Sequence, residues 1–207
     1  MFELSRRLAG LGAAIALAFI AGSAQAGTLT NVSVTLSNTA TSSPTTLTLN
    51  YTIATAMDGT TNNTLLIAGF PGLVMVDGTE NACPTSIIVS ANGTDISSNL
   101  SRCRIFGGNS VLLRLAPGAS VPANAAIVVT IANTRVTTSS TPGTYTANPF
   151  CTRDTGADCI DEPSTLPSYT VIAPTPVPTL SEWAMIVFGT ILAGGTALYL
   201  QRRRQLG

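Results

Sequence analysis

The chain has 207 residues and a formal net charge of zero at pH 7, and it contains neither histidine nor lysine. Without those two side chains no Ser-His or Ser-Lys nucleophile can be assembled, which excludes the common forms of nucleophilic catalysis. Residues 27–177 carry five arginines against eight acidic residues, a net charge of −3. We therefore expect no basic patch in this section and no nucleic-acid partner.

The first 26 residues are typical of a secretory signal peptide. A pair of arginines at positions 6 and 7 precedes an apolar run over residues 8–21, and residues 24–26 read Ala-Gln-Ala, which is an A-x-A cleavage signature. Cleavage after Ala26 would begin the mature chain at Gly27. The sequence therefore predicts that residues 1–26 are removed on export and that the following domain folds outside the cytoplasmic membrane.

Residues 27–173 form the predicted outer domain, in which apolar residues alternate with serine and threonine. Residues 32–36 and 47–53 show this period of two most clearly and are predicted to pair as an antiparallel hairpin with one buried face. The 28 threonines and 15 serines of residues 27–177 also favour strands over helices. Further short apolar segments follow, punctuated by Gly and Pro, at residues 64–68, 73–76, 86–90, 111–115, 126–131, 143–147 and 168–172. This spacing predicts a mainly β fold, an Ig-like or Greek-key β-sandwich, with a barrel as the alternative.

The outer domain contains four cysteines. An even number of cysteines in an exported domain indicates disulfides, which form and persist outside the cytoplasm. Four cysteines allow three pairings, and proximity in the chain favours Cys83 with Cys103 and Cys151 with Cys159. Zinc binding is the rival use, but the chain has no histidine and no C-x-x-C spacing.

A segment rich in carboxylates follows the third cysteine. Clustered carboxylates are what a calcium site needs, but the alternating D-x-D-x-D spacing of loop-type calcium binders is missing. The preferred interpretation is a solvated loop pinned by a disulfide, with a calcium site as the alternative. We expect no other metal and no cofactor. The four candidate calcium ligands are Asp154, Asp158, Asp161 and Glu162.

One further chemistry is open to a chain of this composition. Glycoside hydrolysis needs only two carboxyl groups at a fixed separation. Glu80 and Glu162 are the two glutamates of the outer domain, and no motif places them together. We therefore expect a protein that is not an enzyme, with a carboxylate-based glycosidase kept as an alternative.

The last thirty residues combine a short Pro-bounded motif, an uncharged apolar run and an arginine cluster. Residues 184–200 contain no charge, and with Trp183 they give about 18 helical residues, or roughly 27 Å. That length just spans a hydrocarbon core of about 30 Å. Trp183 and Tyr199 fit the aromatic belts at its two ends, and the arginines mark the cytoplasmic side by the positive-inside rule. The sequence therefore predicts a Pro-rich linker with the motif at residues 174–180, a transmembrane helix at 181–201 and a cytoplasmic basic tail at 202–207. The basic residues are Arg202, Arg203 and Arg204.

This tail resembles the tripartite PEP-CTERM tails, and most closely their IPTL-CTERM variant. The variant is named after Ile-Pro-Thr-Leu, usually followed by Ser-Glu-Trp; here Val177 replaces the isoleucine, and Ala184 stands where the family often has glycine. The resemblance implies recognition of the motif by an exosortase-type membrane enzyme, in the envelope of a Gram-negative bacterium that makes extracellular polysaccharide. Its residues here are Val177, Pro178, Thr179, Leu180, Ser181, Glu182 and Trp183.

These inferences predict a cell-surface protein, exported, then anchored in the membrane or sorted. The expected role of its outer domain is structural or adhesive. The expected partners are the membrane, the processing enzyme and extracellular polysaccharide. The alternative role is a surface module that binds a glycan or calcium through its loops.

Overall fold

A computed structural model of the protein describes residues 27–80, 83–174 and 180–205. The predicted signal peptide lies outside the described residues. The described chain is built mainly from short strands, followed by a single long α-helix at its C-terminal end. The elements are β1 (Gly27–Leu36), β2 (Leu47–Thr52), β3 (Thr64–Gly69), β4 (Leu73–Met75), β5 (Gly78–Glu80), β6 (Ile87–Ala91), β7 (Thr94–Asp95), a 3-10 turn (Ser97–Asn99), β8 (Leu100–Phe106), β9 (Ser110–Leu115), β10 (Ala126–Ile131), β11 (Val136–Thr138), β12 (Gly143–Thr146), β13 (Phe150–Arg153), β14 (Cys159–Pro163), β15 (Ser168–Val171) and α1 (Leu180–Gln205).

The predicted strand segments all coincide with strands of the structure. The predicted hairpin is also present, because β1 and β2 pair antiparallel. Along β2, fully buried side chains alternate with half-buried ones, as expected for a strand with one face in the core. Leu47 and Leu49 on that face are completely buried, and each such side chain contributes about 1.5–3 kcal/mol of transfer free energy.

Eleven strands are hydrogen-bonded in one continuous order, β5-β8-β9-β3-β13-β14-β1-β2-β10-β6-β7. The strand β1 pairs with two different strands along its length. Its first residues, 27–29, pair parallel with β14, and its later residues pair antiparallel with β2. The change coincides with a register shift between Thr30 and Ser33 and with a positive φ of 53° at Asn31. Such a bulge bends a strand, so β1 passes from one half of the sheet to the other.

The two halves of the sheet face each other across one hydrophobic core. Tyr51 on β2 donates its hydroxyl proton to the carbonyl oxygen of Leu65 on β3, at 3.1 Å. Its ring meets Phe150 of β13 edge-on, with the centroids 5.6 Å apart. Since β3 and β13 belong to the β14 side and β2 to the other, these contacts join two layers of a sandwich.

Neighbouring strands of each layer are often far apart in the chain, as β2 is from β10 and β3 from β13. Such long connections are the mark of Greek-key folds. The predicted mainly β fold is confirmed. The strand order ends openly at β5 and β7, so the described strands do not close into the alternative barrel.

Two short ribbons, β4 with β11 and β12 with β15, complete the domain. The rings of Tyr145 and Tyr169 are stacked across the second ribbon with centroids 6.0 Å apart. Tyr169 donates its hydroxyl proton to the carbonyl of Pro71, which lies just before β4. These contacts hold the β12–β15 ribbon against the sandwich.

Candidate functional site: the C-terminal helix and the surfaces of the sandwich

The helix α1 exposes its apolar side chains from Trp183 onward. The segment Trp183–Gln205 is long and apolar enough to cross a membrane; its most apolar 18-residue stretch has a mean hydropathy of 1.7, and none of that stretch is buried. Its 23 residues extend about 35 Å at 1.5 Å per residue. A core helix of a soluble domain would be mostly buried, so exposure together with this length fits a membrane span.

The two threonine hydroxyls of the span are hydrogen-bonded within the helix. Thr190 donates its hydroxyl proton to the carbonyl of Val187 at 2.8 Å, and Thr196 donates to that of Leu192 at 2.5 Å. Such bonds remove the cost of placing a free hydroxyl in hydrocarbon. The helix is also longer than predicted, because it continues through the arginine cluster to Gln205. Arginine is a good helix former, and its charge is favourable in the last turn of a helix.

The helix begins two residues after Pro178, so the predicted motif is divided by its start. Residues 177–179 lie outside the described residues, whereas the backbone from Leu180 to Trp183 is helical. The transmembrane helix predicted for residues 181–201 lies within α1, and recognition of residues 177–183 by a processing enzyme stays a prediction. A proline just before a helix is compatible with this boundary, because proline favours the first turn over the interior.

The structure contains both disulfides that chain proximity favoured, Cys83–Cys103 and Cys151–Cys159. Cys103 and Cys151 are buried in the sheet, and their partners, Cys83 and Cys159, are half-buried. The sulfurs of the second bridge and the carboxylate of Glu162 lie within 4.8 Å of one another. A disulfide sulfur is not a thiolate, however, and only thiolates are strong metal ligands.

The four carboxylates proposed as calcium ligands do not converge. Asp154 accepts a hydrogen bond from the backbone N–H of Asp158 at 2.9 Å and so closes its own turn. Asp161 is completely buried, whereas Glu162, the next residue along β14, is exposed. Within the described residues, no three of these carboxylates come as close together as metal ligands must. The segment is a turn beside a disulfide, with one acid turned into the core.

The buried carboxylate of Asp161 is held by three donors. The backbone N–H groups of Ala54 and Thr55 both donate to Oδ2, at 3.0 and 2.9 Å, and the hydroxyl of Thr55 donates to Oδ1 at 2.7 Å. These bonds offset the loss of solvation that makes a buried acid costly. Asp161 therefore joins β14 to the loop after β2, a structural task that the sequence did not indicate.

The two glutamates of the glycosidase alternative lie far apart. Glu80 is on β5 and Glu162 on β14, which are five positions apart in the strand order. At about 4.8 Å between neighbouring strands, that is roughly 24 Å along the sheet. The two carboxyl groups of a glycosidase stand only about 5–9.5 Å apart, so the positions of these two strands give the glycosidase alternative no support.

The expectation that the outer domain has no basic patch is wrong. Four of its five arginines emerge on the outward face of one layer, on the adjacent strands β8, β9, β3 and β13. Arg102 pairs with Arg114, Arg114 with Thr64, and Thr64 with Arg153. Arg104 stands two residues along β8 from Arg102 and so on the same face. We call Arg102, Arg104, Arg114 and Arg153 the arginine row. Its members are distant in sequence, and only the strand order brings them together.

The described acids with shifted pKa values belong to turns rather than to this row. Backbone N–H groups of Asn62, Thr60 and Thr61 hold the pKa of Asp58 below its usual value. The backbone N–H of Ser97 does the same to the pKa of Asp95. Both carboxylates are exposed and stabilise their own loops.

Comparison with known proteins agrees with the division between tail and outer domain. No curated protein matches the chain. Residues 175–204, which include the described helix from Leu180 to Arg204, match the family described as the IPTL-CTERM motif, so the tail of this chain is an IPTL-CTERM sorting segment.

Proposed function

We propose that this chain is an exported surface protein that α1 holds in the membrane and that an exosortase-type enzyme processes at residues 177–183. The match of residues 175–204 to the IPTL-CTERM motif carries this proposal. The exposed apolar span that ends in Arg202, Arg203 and Arg204 supports it, because this charge pattern keeps the C-terminal end in the cytoplasm. The outer domain then lies on the other side of the membrane, in the envelope of a Gram-negative bacterium.

The outer domain acts in this proposal as a structural or adhesive component without catalysis of its own. Both cysteine pairs are closed as disulfides, and the chain has no histidine or lysine. The paired strands and the single connected core make a rigid module, as an exposed envelope component needs. The chemistry belongs to the enzyme that recognises the tail.

The proposal is tested by replacing Pro178 with alanine in the native host and measuring the mass and location of the protein. We expect the wild type to be shortened at its C-terminal end and released from the cytoplasmic membrane. The Pro178→Ala protein should remain full-length in the membrane. The matched control is Pro174→Ala, since this proline lies just outside the matched segment, and it should be processed like the wild type.

Two results would contradict the proposal. Normal processing of the Pro178→Ala protein would show that the motif is not read and that the tail is a plain anchor. A reporter fused after Gly207 and found outside the cytoplasm would reverse the assigned orientation.

A further inference from the structure

The arginine row is a charged surface beside which Glu162 of the neighbouring strand β14 is the nearby acid, next to the Cys151–Cys159 disulfide. None of its four guanidinium groups forms an ion pair or a hydrogen bond within the described residues, and the Cζ of Arg104 lies 5.3 Å from the ring centroid of Phe106. The fifth arginine of the domain differs, because Arg135 donates from Nε to the hydroxyl of Ser86 at 2.6 Å. The row therefore concentrates positive charge on a domain whose net charge is negative.

The side chains of the row are held in place along the sheet. The Nε atoms of Arg104, Arg114 and Arg153 are shielded from solvent without an acceptor. The terminal Nη atoms have no such burial, so they face outward while the stems pack on the sheet, as arginine stems commonly do. An unpaired buried N–H costs stability. The arginine row therefore presents hydrogen-bond donors that are already ordered, and this arrangement lowers the stability of the sheet locally.

The strand register adds to that cost. Arg102 and Arg114 stand directly opposite each other, and like charges in that position are destabilising. Each of the three strand pairs that carry the row also has a register shift beside it, between Leu100 and Arg102, Thr64 and Leu66, and Cys151 and Arg153. Bulges of this kind redirect side chains and are enriched beside functional sites. An anion bound across the row would relieve the repulsion and accept the free donors.

We propose that the arginine row binds an extended acidic polysaccharide through the carboxylate or sulfate groups along its chain. Arginine suits these groups because its planar guanidinium matches their oxygens in bidentate fashion. The proposal deepens the adhesive role given above and rests on the outer domain being outside the cytoplasm. It does not depend on how the tail is processed.

The geometry favours a polymer over a single anion. Arg102 and Arg114 are one strand apart, and Arg153 is two strands further, so the row extends for about 14 Å at roughly 4.8 Å per strand. A single phosphate group is too small to contact the whole length of the arginine row. Half-buried apolar side chains, Leu112 and Ile67, lie on the same face beside the charges. Alternating apolar and cationic positions suit a chain of sugar rings that carry acid groups.

The test uses the full-length protein, purified in a non-ionic detergent, with polygalacturonate and dextran sulfate as probes and neutral dextran as the comparison. We expect saturable binding of at least one acidic polymer, none of neutral dextran, and weakening by added salt, which screens the exposed charges. The double variant Arg102→Gln/Arg114→Gln should bind about tenfold less tightly or worse, as expected on losing two charge-assisted contacts. Arg153→Gln, which leaves the opposed pair intact, should also weaken binding.

Arg135→Gln is the matched control for Arg153→Gln, because it removes the same single charge at a site off the row. It should bind like the wild type. The double variant should unfold at the same temperature as the wild type or higher, since it removes a repulsive pair, so its loss of binding is not loss of fold. The proposal is overturned if the row variants bind normally, if Arg135→Gln loses as much, or if neither acidic polymer binds. Tighter binding of single-stranded DNA, or equal binding of inorganic phosphate, would replace the assigned ligand class.

Discussion

Gly27 and Asp161 face each other in the parallel pair of β1 and β14 with no room for a side chain between them. A Cβ atom on Gly27 would lie 2.1 Å from Oδ1 of Asp161 and 2.8 Å from the Cβ of Ala54. The carboxylate cannot retreat without losing its bonds from Ala54 and Thr55. Glycine at this position therefore allows β1 to close against β14.

We expect Gly27→Ala to destabilise the domain by about 1–3 kcal/mol, the usual cost of forcing an extra group into a packed site. Thermal unfolding by circular dichroism would measure it. Gly143→Ala at the start of β12 is the control, because its nearest neighbour would be 3.7 Å away, an ordinary contact. Equal stability of the two variants would mean that β1 is not held closely against β14.

Asp161→Ala should be more damaging than removal of the acid beside it. The substitution leaves the N–H groups of Ala54 and Thr55 without their acceptor, and each buried donor left unsatisfied costs about 1–3 kcal/mol. Glu162→Ala on the same strand should change the free energy of unfolding little, since that side chain is exposed. Denaturant titration of both variants checks the difference, and similar midpoints would contradict the structural role of Asp161.

Tyr51→Phe tests the polar contact between the two layers. Loss of the bond to the Leu65 carbonyl should cost about 1 kcal/mol at neutral pH. Burial raises the pKa of Tyr51 above its ordinary 10.0, so the unfolded chain loses this proton first. The contribution is complete below pH 10 and declines as the pH rises above it.

The advantage of the wild type over Tyr51→Phe should therefore shrink in alkaline solution. Tyr145→Phe is the control, because its hydroxyl bonds the Thr141 carbonyl at an exposed site. An advantage that stays constant up to pH 11 would contradict the burial of the Tyr51 hydroxyl.

The two disulfides should contribute unequally. The bridge Cys83–Cys103 closes a separation of 20 residues and Cys151–Cys159 one of 8. In the chain-entropy description, the longer loop contributes about 0.8 kcal/mol more. We expect the double serine variant of Cys83 and Cys103 to unfold at lower denaturant than that of Cys151 and Cys159. The reverse order would show that contacts in the folded state outweigh loop entropy.

The sequence predicted the elements that repeat a local pattern. Alternation was sufficient for β2 and β10, whose buried positions are aliphatic or, at Tyr51, aromatic, and the uncharged run was sufficient for α1. Alternation failed to predict β8, β13 and β14. The outward positions of these strands hold arginine or an acid, and their buried positions include a cysteine or an aspartate. The register shifts in β8 and β13 further break the period of two that alternation relies on.

The candidate sites also differ in whether the sequence alone could identify them. The tail is one contiguous segment, so its residues identify it without knowledge of the fold. The arginine row comes from strands as far apart in the chain as β8 and β13. The negative net charge of the outer domain gave no indication of it. Asp161 lay within an acidic segment, and only the pairing of β14 with β1 shows that it points inward.

The position of β1 has a consequence for the order of events during secretion. In the export proposed above, this strand leaves the membrane first, yet its initial residues complete their hydrogen bonds only with β14, near the far end of the outer domain. A chain threaded from its N-terminal end cannot finish this fold until residues up to Pro163 have emerged. In that order of export, the domain stays incompletely folded until nearly all of it has crossed the membrane. The sandwich completes its strand pairing only shortly before α1 enters the bilayer.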